Sequence, residues 1–355
     1  MEKKIIFNPK KLFLREVEKV DLLLRKKDNE SILPMKKEAD GTFTFNLENS
    51  DYINYHFLVN NKKIYLHKSE VSIISTMSSG KSTFVNAMLG KEIMPSENEA
   101  CTGKIFKINQ SFSNQEQVIT FKEKGEIRRF YLNEEYLKYL NKDEISSVIE
   151  ISGKFYNIKE NITIFDTPGI NNSRNIEHRN ITYNFLKNNK VKNLIYILNA
   201  TQLGVNDDRN FLLDIKELPN SKELNIIFIL NKIDEIDLEK ESLEQILENT
   251  KNYLLKNGFS NVRLYPTTAY NCKLLRYALN NSLKTRDEVS KVILYYDNSE
   301  IEELGEEFVK VGPRNLCKFK LERLIEKTGV PEVELAIQDI NIFKPILAKK
   351  IEGSK

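Results

Sequence analysis

Residues 72 to 83 read Ser-Ile-Ile-Ser-Thr-Met-Ser-Ser-Gly-Lys-Ser-Thr, a short apolar strand that runs into Gly80-Lys81-Ser82. A strand, a glycine-bearing loop and a helix in that order make a phosphate cradle. The loop N–H groups and the helix N-terminus face an anion, Lys81 neutralises the outer phosphates, and the Ser82 hydroxyl is placed for a magnesium ion. The loop residues expected around a nucleotide are Thr76, Met77, Ser78, Ser79, Gly80, Lys81, Ser82 and Thr83. Taken alone the loop has low specificity, since Ser75 stands where a first glycine is usual.

The surrounding pattern decides what the loop sits in. Apolar runs at Val71–Ile74, Ile162–Phe165, Leu194–Leu198, Ile226–Leu230 and Val262–Tyr265 are each followed by a loop and a helix-like stretch. That alternation predicts an α/β fold of three layers, α-β-α, with a mostly parallel sheet covered on both faces. Ligands of such sheets bind outside the carboxyl ends of the strands. Motifs follow the first, second, fourth and fifth runs, so they converge on one rim.

After the second run comes Asp166-Thr167-Pro168-Gly169. Here the carboxylate can hold Mg²⁺ through water and the Gly169 N–H can sense a terminal phosphate. After the fourth comes Asn231-Lys232-Ile233-Asp234, a base-reading segment. Asn231 is expected to bond a purine ring, Lys232 to lay its stem along it, and Asp234 to accept two N–H donors that guanine has and adenine lacks. Adenine would leave that carboxylate unpaired, a loss of roughly 1–3 kcal/mol. Pro266-Thr267-Thr268-Ala269, after the fifth run, supplies Thr268 and Ala269 as further base contacts. The set as a whole predicts a P-loop domain that binds GTP and GDP with Mg²⁺. Between the loop and Asp166, Thr102 is the candidate switch threonine, whose hydroxyl and carbonyl would bind Mg²⁺ and position water; the alternative is a residue that starts the strand Lys104–Ile108. The expected metal set is therefore Ser82, Thr102 and Asp166.

Composition narrows the class further. In 355 residues, 54 basic and 51 acidic side chains leave a net charge of +3, with no global field to draw in nucleic acid. Cys101, Cys272 and Cys317 have no paired spacing, which argues against a disulfide framework and a zinc site. No apolar run reaches the ~18 residues of a spanning helix, and the first seven residues are too short for a secretory signal. The chain reads as cytoplasmic, with any membrane contact peripheral.

The expected organisation is an N-terminal extension over residues 1–70, a nucleotide domain over 71–340 and a C-terminal helix over 341–355. Within the extension, residues 9–28 carry Leu12, Phe13, Val17, Val20, Leu23 and Leu24 as a helical stripe, and residues 41–67 look like a β-hairpin or meander. Glu334, Ile337, Ile340, Phe343, Ile346 and Leu347 suggest a second amphipathic helix. The two helices either pack on the domain surface or pair as a helical neck.

Four stretches resemble the GTPase domain of bacterial dynamin-like proteins: Thr76 to Gly90, Ala100-Cys101-Thr102-Gly103, Asp166 to Ser173 and Asn199-Ala200-Thr201-Gln202-Leu203-Gly204. Thr328-Gly329-Val330-Pro331 is similar to the turn opening that family's last domain helix, so the likeness spans roughly residues 70–345. It implies GTP hydrolysis stimulated when two domains meet across their nucleotides, with Ser78, Lys81, Thr102 and Gly169 as catalytic residues. It also implies a homodimer and a role for K⁺ or Na⁺ beside Ser78. Met77 departs from the polar residue usual before that serine, since a thioether cannot donate a hydrogen bond. Arg174 and Arg179 read as surface salt-bridge partners or, alternatively, as a cation offered to a phosphate. His178 reads as a polar loop residue rather than a base. Nothing follows Lys355 to build the family's stalk, so the expectation is a short or truncated module, or one that works with a stalk-bearing partner or a membrane. The competing expectation is a GTP-gated binding switch with negligible hydrolysis. A ribosome-assembly GTPase would need a basic RNA-binding appendage, and the basic clusters are short ones such as Arg25-Lys26-Lys27 and Lys349-Lys350, which read as solvated helix ends.

Overall fold

The computed structural model describes residues 3–7, 18–26, 29–47, 54–59, 62–64, 69–94, 104–110, 118–123, 125–132, 148–153, 155, 162–170, 176–189, 191–237 and 240–342. The chain divides into two compact units, Met1–Lys68 with Asn341–Lys355, and Ser69–Ile340.

The first unit is β-rich. Strands β1 (Lys3–Phe7), β2 (Val20–Lys26), β3 (Asn29–Pro34), β4 (Lys36–Lys37), β5 (Phe43–Leu47), β6 (Asn54–Val59) and β7 (Lys62–Ile64) form two antiparallel sheets, ordered β1-β5-β4 and β3-β2-β6-β7. This corrects the helix expected over residues 9–28: Val20–Lys26 is a strand, and residues 9–17 lie outside those described. Val20, Leu22 and Leu24 satisfy an alternating pattern as readily as a helical one, and pairing across the sheet decides between them. Leu22 sits opposite Leu33 on one side and Phe57 on the other, and it is fully buried. The N-terminal member of the proposed helical neck is thereby lost over these residues.

The second unit holds strands β8 (Ser69–Ser75), β9 (Ile105–Gln110), β10 (Val118–Glu123), β11 (Glu126–Tyr131), β12 (Val148–Gly153), β13 (Ile162–Asp166), β14 (Asn193–Asn199), β15 (Asn225–Asn231) and β16 (Arg263–Thr267) in a nine-stranded sheet. The order is β11-β10-β12-β9-β13-β8-β14-β15-β16. From β13 to β16 every pair is parallel, whereas β9 runs antiparallel to β13 and the β10–β11 hairpin extends that edge. A small antiparallel ribbon, β17 (Phe308–Val311) and β18 (Arg314–Cys317), follows.

The helices of this unit are α1 (Lys81–Leu89), α2 (Ile176–Asn188), α3 (Asn206–Lys216), α4 (Leu243–Lys256), α5 (Ala269–Leu279), α6 (Arg286–Asp297), α7 (Lys318–Lys327) and α8 (Val330–Ile342), which ends just past the unit boundary. They cover both sheet faces because the central strands are apolar on both. Ile73, Ile195, Ile197, Ile227 and Ile229 point into one core with Phe84, Val85, Leu274, Leu275 and Leu321. Ile74, Leu194, Tyr196, Leu198, Phe228 and Leu230 point into the other with Leu186, Phe211, Leu212 and Leu254. Each such aliphatic side chain contributes about 1.5–3 kcal/mol by leaving water. The three-layer α-β-α architecture follows, with the carboxyl ends of β8, β13, β15 and β16 on one rim. Among the described residues, no helix is long and apolar enough to cross a membrane. Helix α8 carries Glu334, Ile337 and Ile340; Phe343, Ile346 and Leu347 lie outside the described residues.

Candidate nucleotide site

The loop between β8 and α1 turns through two left-handed residues, Ser78 (φ 60°) and Gly80 (φ 85°). At Gly80 only glycine fits. Its φ suits no L side chain, and a Cβ there would fall on the Asn231 amide nitrogen. Gly80 caps α1 without any side-chain hydrogen bond, and the first turn carries no acidic residue. The helix therefore opens with its N–H dipoles uncapped by side chains, the arrangement that attracts an anion. Ser79 is buried and its hydroxyl bonds back to the Thr76 carbonyl, tightening the loop. Met77 and Ser78 are exposed, Ser82 is buried, and Thr83 is half-buried in the first turn.

Lys81 Nζ lies 2.7 Å from Asp166 Oδ1 at the end of β13, and both side chains are almost fully buried. Burial raises the pKa of Asp166, an effect opposed by the Lys81 charge and hydrogen bond. A buried carboxylate of this kind needs a cation beside it. Lys81 fills that need here; the Asp166 carboxylate and the Ser82 hydroxyl are hard oxygen donors of the kind that could hold Mg²⁺. Thr102, the third expected ligand, lies outside the described residues, as do Cys101 and Arg174.

Beyond Asp166 the chain is laced to the phosphate loop. Ile170 N donates to Ser75 O at 3.0 Å, Met77 N donates to Ile170 O at 2.9 Å, and the Thr167 hydroxyl donates to Ile73 O at 3.0 Å. Gly169 is thus held against Met77, whose Cγ lies 3.5 Å from where a Cβ would be.

Asn231 joins the loop before α1 to the loop after β16. Its Nδ2 donates to Ser79 O at 2.8 Å, and its Oδ1 accepts from the Thr267 hydroxyl and the Ala269 N–H, both at 3.0 Å. One amide hydrogen on Nδ2 remains for a purine nitrogen. Lys232 takes a left-handed backbone (φ 70°) and its ammonium lies 3.4 Å from Glu235. Asp234 is exposed, with Asn271 Nδ2 donating to Oδ2 at 3.3 Å. Crowding by its neighbours still raises its pKa through desolvation, against the pull of its own N–H, Lys232 and Asn271. Thr268 caps α5, and its N–H donates to Thr328 O at 3.0 Å. Gly329 (φ 74°) lets that turn approach, because a Cβ would collide with the Pro266 carbonyl. The residues Thr328-Gly329 therefore buttress the loop that carries Thr268 and Ala269.

Several supporting residues were not assigned roles from sequence. Asn199 Nδ2 donates to Ser78 O at 3.3 Å, a role foreshadowed only by its place in the Asn199–Gly204 stretch. Asp208, on the first turn of α3, is 1% exposed, and burial pushes its carboxyl up to about 6. The Thr76 side chain and the Tyr196 hydroxyl, 3.2 Å from Oδ1, favour its charged form. Arg276 is buried and joins α1 to α8, donating to Ala87 O and to both carboxylate oxygens of Glu334. Arg179 donates through Nε and Nη2 to Asp214 on α3, so it is a salt-bridge partner and offers no phosphate-facing cation. His178, expected in a loop, lies on α2.

The match to known proteins starts inside β8 and ends in the base-reading segment: residues 71–233 match the model of the dynamin family. Residues 71–233 are thus similar to the dynamin family's domain. The dynamin-like protein A of Bacillus subtilis (strain 168) is 25% identical over 256 residues, covering 72% of this chain and 20% of that protein. Dynamin-like protein 1 of Campylobacter jejuni subsp. jejuni serotype O:23/36 (strain 81-176) is 24% identical over 223 residues, 52% of this chain and 30% of its own length. The chain thus spans a third or less of these two relatives. A solved structure of an oligomerised bacterial dynamin pair, described as a mechanism for long-range sensing and tethering of membranes, overlays with a TM-score of 0.46 at 19% identity. That overlay covers 77% of this chain and 42% of the other. The matched segment carries the loop before α1, Asp166 at the end of β13 and Asn231 at the end of β15.

Proposed function

We propose that the dynamin-type domain binds GTP and GDP and hydrolyses GTP to GDP and phosphate. The observation that carries this reading is the hydrogen-bonded continuity from the phosphate loop through Asn231 to Ala269, with Asp234 beside it and Lys81 paired to Asp166. Phosphoryl transfer to water depends mainly on positioning and charge compensation, so the parts needed are donors and cations rather than a catalytic base. Lys81, the uncapped N-terminus of α1 and the Gly169 N–H supply donors to the phosphates. Ser82 and Asp166 would hold Mg²⁺, with Thr102 as the third ligand; bound magnesium would compensate charge on the phosphate oxygens. Lys232 and Asp234 read the base.

Hydrolysis in this reading is completed by a second copy of the chain meeting the first across the nucleotides, with K⁺ or Na⁺ beside Ser78 and with Thr102 positioning water. In this reading the protein is cytoplasmic and self-associates, on a membrane surface or with a stalk-bearing partner; its similarity to proteins named as dynamin-like motivates the proposal. Met77 supports a second reading, a GTP-gated binding switch with negligible turnover. It is 40% exposed on the phosphate loop and carries no hydrogen-bond donor where a water would need one.

GTP turnover per molecule, measured over a wide range of protein concentration with Mg²⁺ and with K⁺ or Na⁺, separates the two. Specific activity that rises with concentration supports the dimer-stimulated enzyme. A flat rate near zero alongside GTP binding supports the switch.

A further inference from the structure

The segment Pro168-Gly169-Ile170 has nearly all of its backbone groups engaged, and helix α2 supplies one of the partners. The Thr182 hydroxyl, fully buried, donates to the Pro168 carbonyl at 3.2 Å. One turn earlier, burial lowers the pKa of His178, and an interaction with the Gly169 backbone opposes that shift. The Ile170 carbonyl accepts from Met77 N, and the Ile170 N–H donates to Ser75 O. Proline has no N–H, so among the described residues the Gly169 N–H is the one donor of this segment without a partner.

A trans peptide is planar, with its C=O and N–H pointing in opposite directions. Fixing the Pro168 oxygen therefore fixes the line along which the Gly169 N–H points, away from α2. His178 and Thr182 stand four residues apart and so share one helix face. Helix α2 is itself anchored by Phe185 and Leu186 in the core and by the Arg179–Asp214 pair to α3.

We propose that Thr182, with His178 beside it, acts as a clamp that aims the Gly169 N–H at the terminal phosphate of a nucleoside triphosphate. Both are positioning residues, and the proposal rests on the GTP-binding reading above. The triphosphate gains one charge-assisted hydrogen bond that the diphosphate lacks, so the clamp sets discrimination between the two nucleotides rather than affinity for both.

The test compares equilibrium binding of Mg²⁺-GTPγS and GDP to the full chain and its variants. Thr182→Val keeps the shape and removes the donor. It should weaken GTPγS about tenfold, the worth of one such bond, and leave GDP unchanged. Thr182→Ser should restore the ratio, and His178→Phe should lower it in the same direction. A Thr182→Val protein with the wild-type ratio would overturn the clamp while leaving the nucleotide reading intact. Equal weakening of both nucleotides would also overturn it, since that is the signature of a merely structural residue. A wild-type chain that bound no guanine nucleotide would remove the reading and the clamp together.

Discussion

Lys81 Nζ and Asp166 Oδ1 stand 2.7 Å apart with both side chains about 5% exposed, so the lysine that should meet phosphate neutralises a buried carboxylate. In the proposed reading Lys81 would also face the phosphates and Asp166 would help hold Mg²⁺, so both binding and stability would depend on this pair.

Lys81→Met should abolish nucleotide binding and also destabilise the fold by about 3 kcal/mol, because removing one partner leaves an uncompensated buried charge. The Lys81→Met/Asp166→Asn double variant should recover most of that stability without recovering binding. Thermal melts beside nucleotide titrations check both. A double variant no more stable than Lys81→Met would show that Asp166 is not the group left exposed to the loss.

Gly80→Ala should cost on the order of 1–3 kcal/mol in stability, since its backbone is left-handed and the new methyl meets Asn231. Because Asn231 also bonds Ser79 O and Ala269 N, the displacement should weaken nucleotide binding as well. Chemical denaturation and titration of the variant measure the two losses. Wild-type behaviour in both would mean the loop relaxes at no cost.

Asp208 predicts a pH dependence. Its folded carboxyl is pushed up to about 6 from an ordinary 3.8, first by burial and further by Asp207, with Thr76 and Tyr196 opposing. The folded chain thus keeps a proton that the unfolded chain has released. Stability from this group is fully present below the ordinary value and is lost as pH rises through about 6. Asp208→Asn retains the acceptor for Tyr196 and cannot ionise. The variant should be more stable than wild type at pH 8 by up to about 3 kcal/mol, with the difference shrinking toward pH 4. Denaturation of both proteins across that range checks the sign. A gap that widens at low pH would contradict it.

The parts of this molecule that could be read from sequence are those where a local pattern carries its own geometry. The apolar runs ending in Gly80-Lys81-Ser82, Asp166 and Asn231 announce parallel strands, because two buried faces require apolar side chains at every position. Val20–Lys26 could not be read that way. Its stripe fits two periods, and only pairing with residues 29–34 and 54–59 chooses the strand. The same holds at the site. Asn231 stands out in sequence as a candidate base contact, but nothing local announces its bonds to Ser79 and Ala269, which join positions 152 and 38 residues away. Asp208 beneath Thr76 and Arg276 between Ala87 and Glu334 are likewise products of packing, with no local signature to mark them.

The most direct test of the account is calorimetric titration of the wild-type chain and Asp234→Asn with GDP, GTPγS and an ATP analogue in Mg²⁺. Guanine binding with little or no adenine binding is expected in wild type. In Asp234→Asn the guanine preference should fall by about ten- to a hundredfold, as a paired acceptor becomes a donor. Equal affinity for adenine and guanine nucleotides in wild type, or an unchanged preference in the variant, would contradict the assignment of Asp234 as the residue that reads the base.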